Sequence, residues 1–380
     1  MDEKRRYYVI IGSKSFFDSA ISKIDTNNAS WFLELVRLWD DSKQVIVVNQ
    51  KPIEKPKASL LIIKNDNYHG IVDSAHDRLG GLIEDLTLPT AEIYVHNPPQ
   101  SLYNYLIDQN SRQLIDLTVQ KEEYTIKRAP DQFASNIKSI AEKIIGQDDA
   151  INEISKSIWY LTTVERKKPY VIMLYGNSSL GKTELVREVA DKFFEGKFLE
   201  KHLSMFKNNN YSDYFFGDAP NRRSIGFDLL ERESNLIFFD EIDKCPEYFY
   251  SAFYTLFDNT LFKDSTYDVD VSGAIIVLTS NYQSEDEVKK NLGLPVYYRI
   301  DKFIHFEDFS TGTIYRIVIN EIDSRKDELN GKLTTDEIYD VVSKQLSSIN
   351  ENARTIKYKI QQVIEDLLFE EVTANNENEI

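Results

Sequence analysis

Short, continuous apolar runs alternate with amphipathic stretches over the first 120 residues of the chain. Continuous runs are typical of strands buried on both faces of a parallel sheet, and the stretches between them have the spacing of crossover helices. The four predicted strands are YYVIIGS, QVIVVNQ, SLLIIKN and AEIYVHN, at residues 7–13, 44–50, 59–65 and 91–97. The pattern therefore predicts a small α/β domain over residues 1–120.

The pattern changes after this domain. A further helix is predicted within residues 101–117, and residues 121–135 are charged, irregular and interrupted by a proline, which predicts a linker. Apolar strands and helices resume from residue 136, so a second folded region begins there. Residues 373–380 form a polar tail that we expect to fray.

The composition limits the class of protein. The 380 residues include 45 Lys and Arg against 62 Asp and Glu, a net charge of −17, and 42% of them are hydrophobic. That apolar fraction excludes a disordered chain, and the acidic balance argues against nucleic acid as a partner, which needs clustered cations. A single cysteine excludes an intrachain disulfide. No apolar stretch approaches the ~20 residues of a membrane span, so we expect a soluble, cytoplasmic protein without a membrane partner.

An apolar strand at residues 171–175 runs directly into GNSSLGKT, and a helical pattern follows. This is the G-x-x-x-x-G-K-[ST] phosphate loop in its required context. Lys182 supplies a charge to the β- and γ-phosphates, Thr183 offers a hydroxyl to Mg²⁺, and the backbone N–H groups bind phosphate oxygens. The motif predicts ATP and Mg²⁺ as cofactors. The predicted nucleotide-binding residues here are Gly176, Asn177, Ser178, Ser179, Leu180, Gly181, Lys182, Thr183 and Glu184.

A second apolar strand, at residues 236–239, ends in two carboxylates, Asp240 and Glu241. Ligands bind at the carboxyl edge of a parallel sheet, so a strand that ends in acids brings them to that edge. We expect Asp240 to hold Mg²⁺ and Glu241 to polarise the attacking water. An isolated Asp-Glu pair could instead cap the following helix, but here it accompanies a phosphate loop.

From about residue 141 to residue 372 the chain resembles the Clp-type AAA+ ATPases. Ile145 and Gly146, in IIGQDDA, resemble the segment that lies beside the adenine in that family, and Asn281, in T-S-N, resembles its sensor-1 residue. Arg299, in Y-R-I-D, resembles the arginine finger that enters a neighbour's site. Arg354, in N-A-R, resembles the sensor-2 arginine of the lid. The resemblance implies catalytic roles for Glu241 and these last three residues.

The resemblance also implies an architecture. It predicts an α/β fold with an AAA+ core, a parallel-sheet P-loop NTPase domain, over residues 136–308 and a small helical lid domain over residues 309–372. The N-terminal α/β domain precedes these as a separate unit. An arginine finger that acts on a neighbour requires an assembly, so the resemblance implies a homo-oligomeric ring, in this family a hexamer.

One segment departs from the family pattern. Clp unfoldases carry an aromatic G-Y-V-G loop that grips a threaded polypeptide, and residues 217–227 stand at this place without it. Arg222, Arg223, Ile225 and Phe227 could line a pore, or the segment could be a shortened structural connection; both interpretations are open at this point. Threading is therefore in question, whereas ATP hydrolysis is not.

Three functions follow from these features. The first is a Clp-like ATPase ring that remodels or disassembles a protein partner, a client or effector bound by the N-terminal domain. The second is a nucleotide-gated assembly switch that recruits or restrains an effector protein, and the third, disfavoured by the acidic charge, is a DNA-transaction ATPase. Gly12 follows the first strand without the G-x-G-x-x-G of a dinucleotide site, so the N-terminal domain is interpreted as a partner-recognition domain.

Overall fold

The computed structural model describes residues 4–44, 55–124, 126, 130–205, 210–329, 332–346 and 351–377. Within these residues, the N-terminal part contains a five-stranded parallel sheet in the order β2-β3-β4-β1-β5. Its strands are β1 (Arg6–Ile11), β2 (Ser30–Trp31), β3 (Ala58–Ile63), β4 (Thr87–His96) and β5 (Asp116–Lys121). Its helices are α1 (Lys14–Ile21), α2 (Phe32–Gln44), α3 (Asp73–His76), α4 (Leu79–Leu86) and α5 (Gln100–Ser111).

Both faces of this sheet are covered, which is why its inner strands are continuously apolar. On one face, Val9 and Val95 are fully buried beneath Ile83 of α4. On the other face, Ile10 and Ile62 pack with Phe17 of α1. The predicted α/β character of this part of the chain is confirmed.

One predicted strand of this sheet lies almost wholly outside the described residues, and one observed strand was not predicted. The predicted strand at residues 44–50 lies outside the described residues except for Gln44, which ends α2. The strand β5 was not predicted, because the helical pattern was extended to residue 117, whereas α5 ends at Ser111. Since β5 is an edge strand with mostly exposed side chains, it lacks the apolar run that marks the inner strands.

A second parallel sheet forms the middle of the molecule, and its described strands have the order β12-β6-β11-β8-β7. They are β6 (Tyr170–Tyr175), β7 (Leu199–His202), β8 (Leu236–Asp240), β11 (Ile275–Thr279) and β12 (Lys302–His305). An antiparallel hairpin of β9 (Leu261–Lys263) and β10 (Asp268–Asp270) lies outside this sheet. The helices are α6 (Pro130–Lys143), α7 (Asp148–Thr163), α8 (Lys182–Phe193), α9 (Asn210–Phe216), α10 (Ile225–Leu230), α11 (Tyr250–Asp258) and α12 (Glu285–Tyr297).

The strands β8 and β11 are buried along their whole length, because helices cover both faces. Phe238 and Val277 pack on the side of α6, α7 and α8, and Phe239 and Leu278 pack on the side of α11 and α12. Side chains at the carboxyl ends of these strands lie at the edge of the sheet where open α/β folds bind their ligands.

The C-terminal part is helical, as predicted. It consists of α13 (Thr311–Ser324), α14 (Lys326–Leu329), α15 (Thr335–Gln345) and α16 (Ala353–Glu377). These helices bury one face each around Val318, Val342 and Ile360. Thr334 and Glu337 form a capping box that begins α15, since each side chain accepts the other's backbone N–H.

The structure shows regular secondary structure at two predicted boundaries. Both ends of the predicted linker, residues 121–135, are regular: β5 reaches Lys121, and α6 begins at Pro130. A proline suits the first turn of a helix, where its missing N–H costs nothing. The predicted tail is also partly helical, because α16 continues to Glu377 and a helix propagates readily once it has formed. The division into domains stays a prediction.

Among the described residues, no helix is both long enough and apolar enough to cross a membrane.

Candidate nucleotide-binding site

The phosphate loop, residues 176–183, joins the carboxyl end of β6 to the start of α8. Gly176 has a φ of +138°, and a Cβ there would lie 2.4 Å from the carbonyl oxygen of Phe306. Gly181 has a φ of +101° and immediately precedes α8. The loop therefore needs glycine at both positions, and it leaves the first N–H groups of α8 available for an anion.

Lys182 is buried within this loop. Its Nζ donates to the carbonyl oxygens of Gly176, at 2.7 Å, and Asn177, at 2.6 Å. Burial lowers the pKa of Lys182 to about 8, while the nearby carboxylates of Asp243 and Asp240 oppose this shift. The ammonium thus lies where the backbone of the loop converges, which is the place that a phosphate oxygen would approach.

Asp240 ends β8 and faces Thr183 across the site. The Thr183 Oγ1 lies 3.3 and 3.4 Å from the two carboxylate oxygens, and the hydroxyl of Thr279 at the end of β11 also donates to Asp240. Hydroxyl and carboxylate oxygens are the hard ligands that Mg²⁺ prefers. Thr183 and Asp240 therefore fit the metal site that the sequence predicts, and they would hold Mg²⁺ there.

Glu241 has a left-handed backbone, with a φ of +60°. Its N–H donates to the Oγ1 of Thr279 at 2.9 Å, which fixes this conformation. Non-glycine residues with positive φ are uncommon and cluster at functional sites. Asn281 follows the neighbouring strand, and its Oδ1 lies 3.5 Å from the Nζ of Lys182. The structure thus brings Lys182, Asp240, Glu241 and Asn281 to one edge of the sheet.

The remaining residues of the phosphate loop have different surroundings. Asn177 donates to Asp308 at 2.8 Å and accepts from Gln283 at 3.1 Å. Leu180 packs its side chain into the core, so only its backbone faces the loop. Ser178 and Glu184 are exposed, and Glu184 occupies the first turn of α8.

The lid helices meet the phosphate loop from the other side. The N–H of Ala353, which begins α16, donates to the carbonyl oxygen of Ser179 at 3.2 Å. The next residue, Arg354, is exposed. Gly146 has a φ of +80°, and a Cβ there would lie 2.3 Å from the Cγ2 of Thr313 in α13. Gly146, with its neighbour Ile145, therefore lies against the lid, and Ile144 lies beside Gly181 of the phosphate loop, where a Cβ would be 3.7 Å from its Cγ2.

Arg299 lies away from these residues. Its Nε donates to Asp258 at 2.5 Å, and its Nη1 donates to the carbonyl oxygen of Pro295 at 2.6 Å. Asp301, two residues on, pairs with Val171 at the amino end of β6. The phosphate loop follows the carboxyl end of that strand, about 16 Å away for a strand of this length. The structure does not bring Arg299 to the phosphate loop of its own chain.

Sequence reasoning missed two side chains beside Asp240. The Nδ1 of His202, at the end of β7, lies 3.2 Å from Asp240 Oδ2, and its Nε2 lies 3.4 Å from Glu200 Oε1. Ligand atoms of these three residues lie within 4.8 Å of one another, close enough to share a metal ion. The polar pattern LEKH in an otherwise apolar sheet was the available signal.

Only the second part of the segment at the place of the pore loop, residues 224–227, is buried, whereas Asp218, Arg222 and Arg223 are exposed. Ile225 and Phe227 are almost fully inaccessible, and the ring of Phe227 packs at 4.8 Å from the imidazole of His69 in the N-terminal part. Arg222 donates to Asp218, and Arg223 donates to Asp228. Of the two interpretations, the structure favours a shortened structural connection for Ile225 and Phe227.

Comparisons with known proteins agree with this geometry. A family model described as an AAA domain (Cdc48 subfamily) matches residues 166–348. The ATP-dependent Clp protease ATP-binding subunit ClpC of Staphylococcus aureus is 25% identical over 286 residues, covering 63% of this chain and 35% of that protein. The chaperone protein ClpB of Oceanobacillus iheyensis is 23% identical over 291 residues, covering 65% and 36%. The chain thus spans about a third of the length of these curated relatives.

Solved structures show the same fold. A Saccharomyces cerevisiae Hsp104–ADP complex aligns with a TM-score of 0.56 at 14% identity, covering 97% of this chain and 89% of that one. A closed-state reconstruction of Hsp104 with ATPγS and FITC-casein aligns with a TM-score of 0.54, covering 98% and 89%. Together with the phosphate loop and the acidic strand, the family match shows that the chain carries an AAA ATPase domain. Over this region the chain is similar to Clp-type AAA+ ATPases, and it shares their fold.

Proposed function

We propose that this chain binds Mg-ATP at the carboxyl edge of its central sheet, hydrolyses it, and uses the cycle to remodel or disassemble a protein partner. The observation that carries this proposal is the convergence of Lys182, Thr183, Asp240, Glu241 and Asn281 from three strands. Phosphoryl transfer spreads negative charge over three oxygens, so it needs cations and positioned donors on several sides of one point.

Each residue has a separable role in the proposal. Lys182 and the phosphate-loop N–H groups hold the phosphates, and Thr183 and Asp240 hold Mg²⁺, which neutralises charge on the phosphate oxygens when bound. Glu241 accepts a proton from the attacking water, and Asn281 orients that water. Arg354 reaches the γ-phosphate when the lid closes, because Ala353 already contacts Ser179.

A homo-oligomeric ring, a hexamer, completes the proposed site. Arg299 lies at the opposite end of β6 from its own phosphate loop, which supports an action on a neighbouring chain. In that neighbour it would supply the cation that an arginine finger contributes. Mixing Arg299→Ala chains with Lys182→Ala chains should restore hydrolysis at the mixed interfaces, whereas each variant alone stays inactive.

The N-terminal α/β domain is proposed to select the protein partner. A Glu241→Gln chain is expected to bind ATP, hydrolyse it at least about 10²-fold more slowly, and accumulate as an oligomer that retains its partner in a pull-down. The exposed Glu247→Gln is the matched control and should behave as wild type. Hydrolysis by Glu241→Gln at the wild-type rate would show that another group is the base.

A second function, a nucleotide-gated assembly switch that recruits or restrains an effector, is favoured by one observation. Ile225 and Phe227, the apolar candidates for gripping a threaded chain, are buried. The captured partner distinguishes the two functions: hydrogen exchange should show that it unfolds during ATP turnover under remodelling, and that it stays folded and bound under the switch. The DNA alternative is weakened because Arg222 and Arg223 already pair with carboxylates.

A further inference from the structure

The two parallel sheets share one topology among their described strands. In each sheet the first strand, β1 or β6, is central and lies between the fourth and the fifth strand of that sheet in sequence order. The third strand then joins the fourth, and the second strand lies at the edge. All these strand pairs are parallel, so the loops that follow the strands lie together at the carboxyl edge of each sheet. Ligands of open α/β sheets bind at this edge.

The connection after the central strand differs between the two sheets. In the ATPase sheet, residues 176–181 lie between β6 and α8, whereas only Gly12 and Ser13 lie between β1 and α1. Gly12 has a φ of +151°, comparable to Gly176, but two residues cannot wrap around a chain of phosphates. The side chain of Asn97 fills this loop, since it accepts from the N–H of Gly12 at 2.9 Å and donates to its carbonyl oxygen at 2.8 Å.

Carboxylates of the same chain occupy the start of α1. The N–H of Ser13 donates to Glu122 at 2.6 Å. The backbone N–H of Lys14 faces the carboxylate of Glu231, where it opposes the rise in the pKa of that carboxyl that burial causes. Glu231 belongs to the ATPase half and immediately follows α10. A helix N-terminus favours an anion through its free N–H groups, and here that anion is supplied by glutamate rather than by phosphate.

Side chains at the ends of β3 and β4 complete the contact with Glu231. Asn65 donates to its Oε1 at 2.7 Å, Asn97 lies at 3.5 Å, and the Nδ1 of His96 lies at 3.7 Å. Asn65, His96 and Asn97 are each at least 98% buried. In the ATPase sheet the corresponding strands end in Asp240 and Thr279, so the two sheets use the same edge for different chemistry.

We infer that the N-terminal sheet is a nucleotide-free counterpart of the ATPase sheet, and that its carboxyl edge is a socket for the carboxylate of Glu231. The socket consists of the N–H of Lys14 together with Asn65, His96 and Asn97. The chain therefore binds one nucleotide, at Lys182. Only the placement of that nucleotide at Lys182 rests on the proposed function. Because Glu231 lies five residues before β8, the socket anchors the amino end of the strand that carries Asp240.

A count of bound nucleotide tests the first half of this inference. Titration of the full chain with Mg-ADP is expected to give one nucleotide per chain for the wild type and for Lys14→Ala, and none for Lys182→Ala. Two nucleotides per chain, or binding lost in Lys14→Ala, would overturn it. One bound ADP without any ATP hydrolysis would contradict the proposed function and leave this inference standing.

Thermal unfolding tests the socket. Glu231→Ala leaves buried donors without an acceptor and is expected to lower Tm by at least about 4 °C, whereas Glu231→Gln retains an accepting oxygen and should stay near wild type. The exposed neighbour, Glu233→Ala, is the matched control. If Glu231→Ala does not fold, Asn65→Ala should show a smaller shift in the same direction. Equal Tm values for these variants and the control would refute the socket.

Discussion

The N-terminal sheet and the ATPase sheet have the same strand order, but different groups occupy the anion-binding N–H groups at their carboxyl edges. In the ATPase sheet, Lys182 and the loop N–H groups lie beside Asp240, in an arrangement that fits phosphate and a metal. In the N-terminal sheet, the N–H of Ser13 already binds Glu122, and the N–H of Lys14 faces the carboxylate of Glu231. A strand order thus specifies where a ligand could bind, and the side chains at the edge decide whether one does.

The same difference explains why the two halves stay together. An edge that binds a soluble ligand must remain open, whereas an edge that binds Glu231 becomes part of an internal contact. Further contacts support it: the N–H of Gln100 donates to the carbonyl oxygen of Thr266 at 2.8 Å, and Arg232 stacks on Tyr124 at 4.5 Å. The N-terminal sheet therefore has a structural role at this edge.

The largest expected effect is on ATP hydrolysis, and it should be seen for a substitution at the end of β8 but not at the end of β3. Asp240→Ala removes a proposed metal ligand and should reduce ATP hydrolysis by at least about 10³-fold. Lys64→Ala, at the corresponding position after β3, should leave hydrolysis unchanged. Steady-state rates over a range of Mg²⁺ concentrations measure both. A comparable loss in the two variants would contradict the functional difference between the sheets.

The asparagines after β11 and β4 should respond in opposite ways. Asn281→Ala is expected to lower kcat by about 10²-fold with little change in Tm, because it orients a reactant. Asn97→Ala should lower the free energy of unfolding by about 2 kcal/mol, because it leaves the N–H of Gly12 without an acceptor and removes one of two donors to its carbonyl oxygen, while kcat per folded molecule is retained. Chemical denaturation and turnover are measured on each; an exchange of the two phenotypes would refute the assignment.

Alanine substitutions of the glycines after the two central strands should differ in their effect on nucleotide binding. A Cβ at Gly176 would meet a backbone oxygen at 2.4 Å, so Gly176→Ala is expected to destabilise by about 1–3 kcal/mol and to weaken nucleotide binding. At Gly12 the nearest atom is the Cβ of Glu122 at 2.5 Å, and the φ of +151° is unfavourable for alanine, so Gly12→Ala should also destabilise the fold but leave nucleotide binding intact. Gly81→Ala, at an open helical position, is the control. Equal binding losses at Gly12 and Gly176 would contradict this expectation.

The smallest expected effect is a pH dependence. Burial lowers the pKa of His96 to about 4, with a hydrogen bond to the Gly12 carbonyl opposing the shift, so near neutral pH its contact with Glu231 is not an ion pair. Between pH 6.5 and 4 the unfolded chain binds a proton that the folded chain does not, so stability falls as pH falls through this window, by up to about 3 kcal/mol.

Thermal unfolding from pH 7 to 4 measures this contribution. His96→Gln keeps a donor for Gly12 but cannot titrate, so its Tm should depend less on pH than the wild-type value does. The exposed His305→Gln is the matched control and should follow wild type. Parallel curves for all three proteins would show that His96 does not titrate as described.

Much of the ATPase site could be predicted because its parts are local. The phosphate loop and the Asp240–Glu241 pair are contiguous in sequence and follow buried apolar strands, so pattern and chemistry coincide. The contact between Thr279 and Glu241 could not be predicted, since it depends on which strands are neighbours. The edge strand β5 was missed because it is not buried and therefore carries no apolar pattern.

The sequence by itself determined the class of fold, the nucleotide chemistry and the charge that argues against DNA, because these depend on short motifs and on composition. Only the tertiary structure decided that Phe227 is covered, that Arg299 lies far from its own phosphate loop, and that the carboxylate of Glu231 contacts the edge of the N-terminal sheet. Each of these depends on contacts between residues far apart in the chain. The physical reason is that burial and hydrogen-bond partners are properties of packing, which no local pattern encodes.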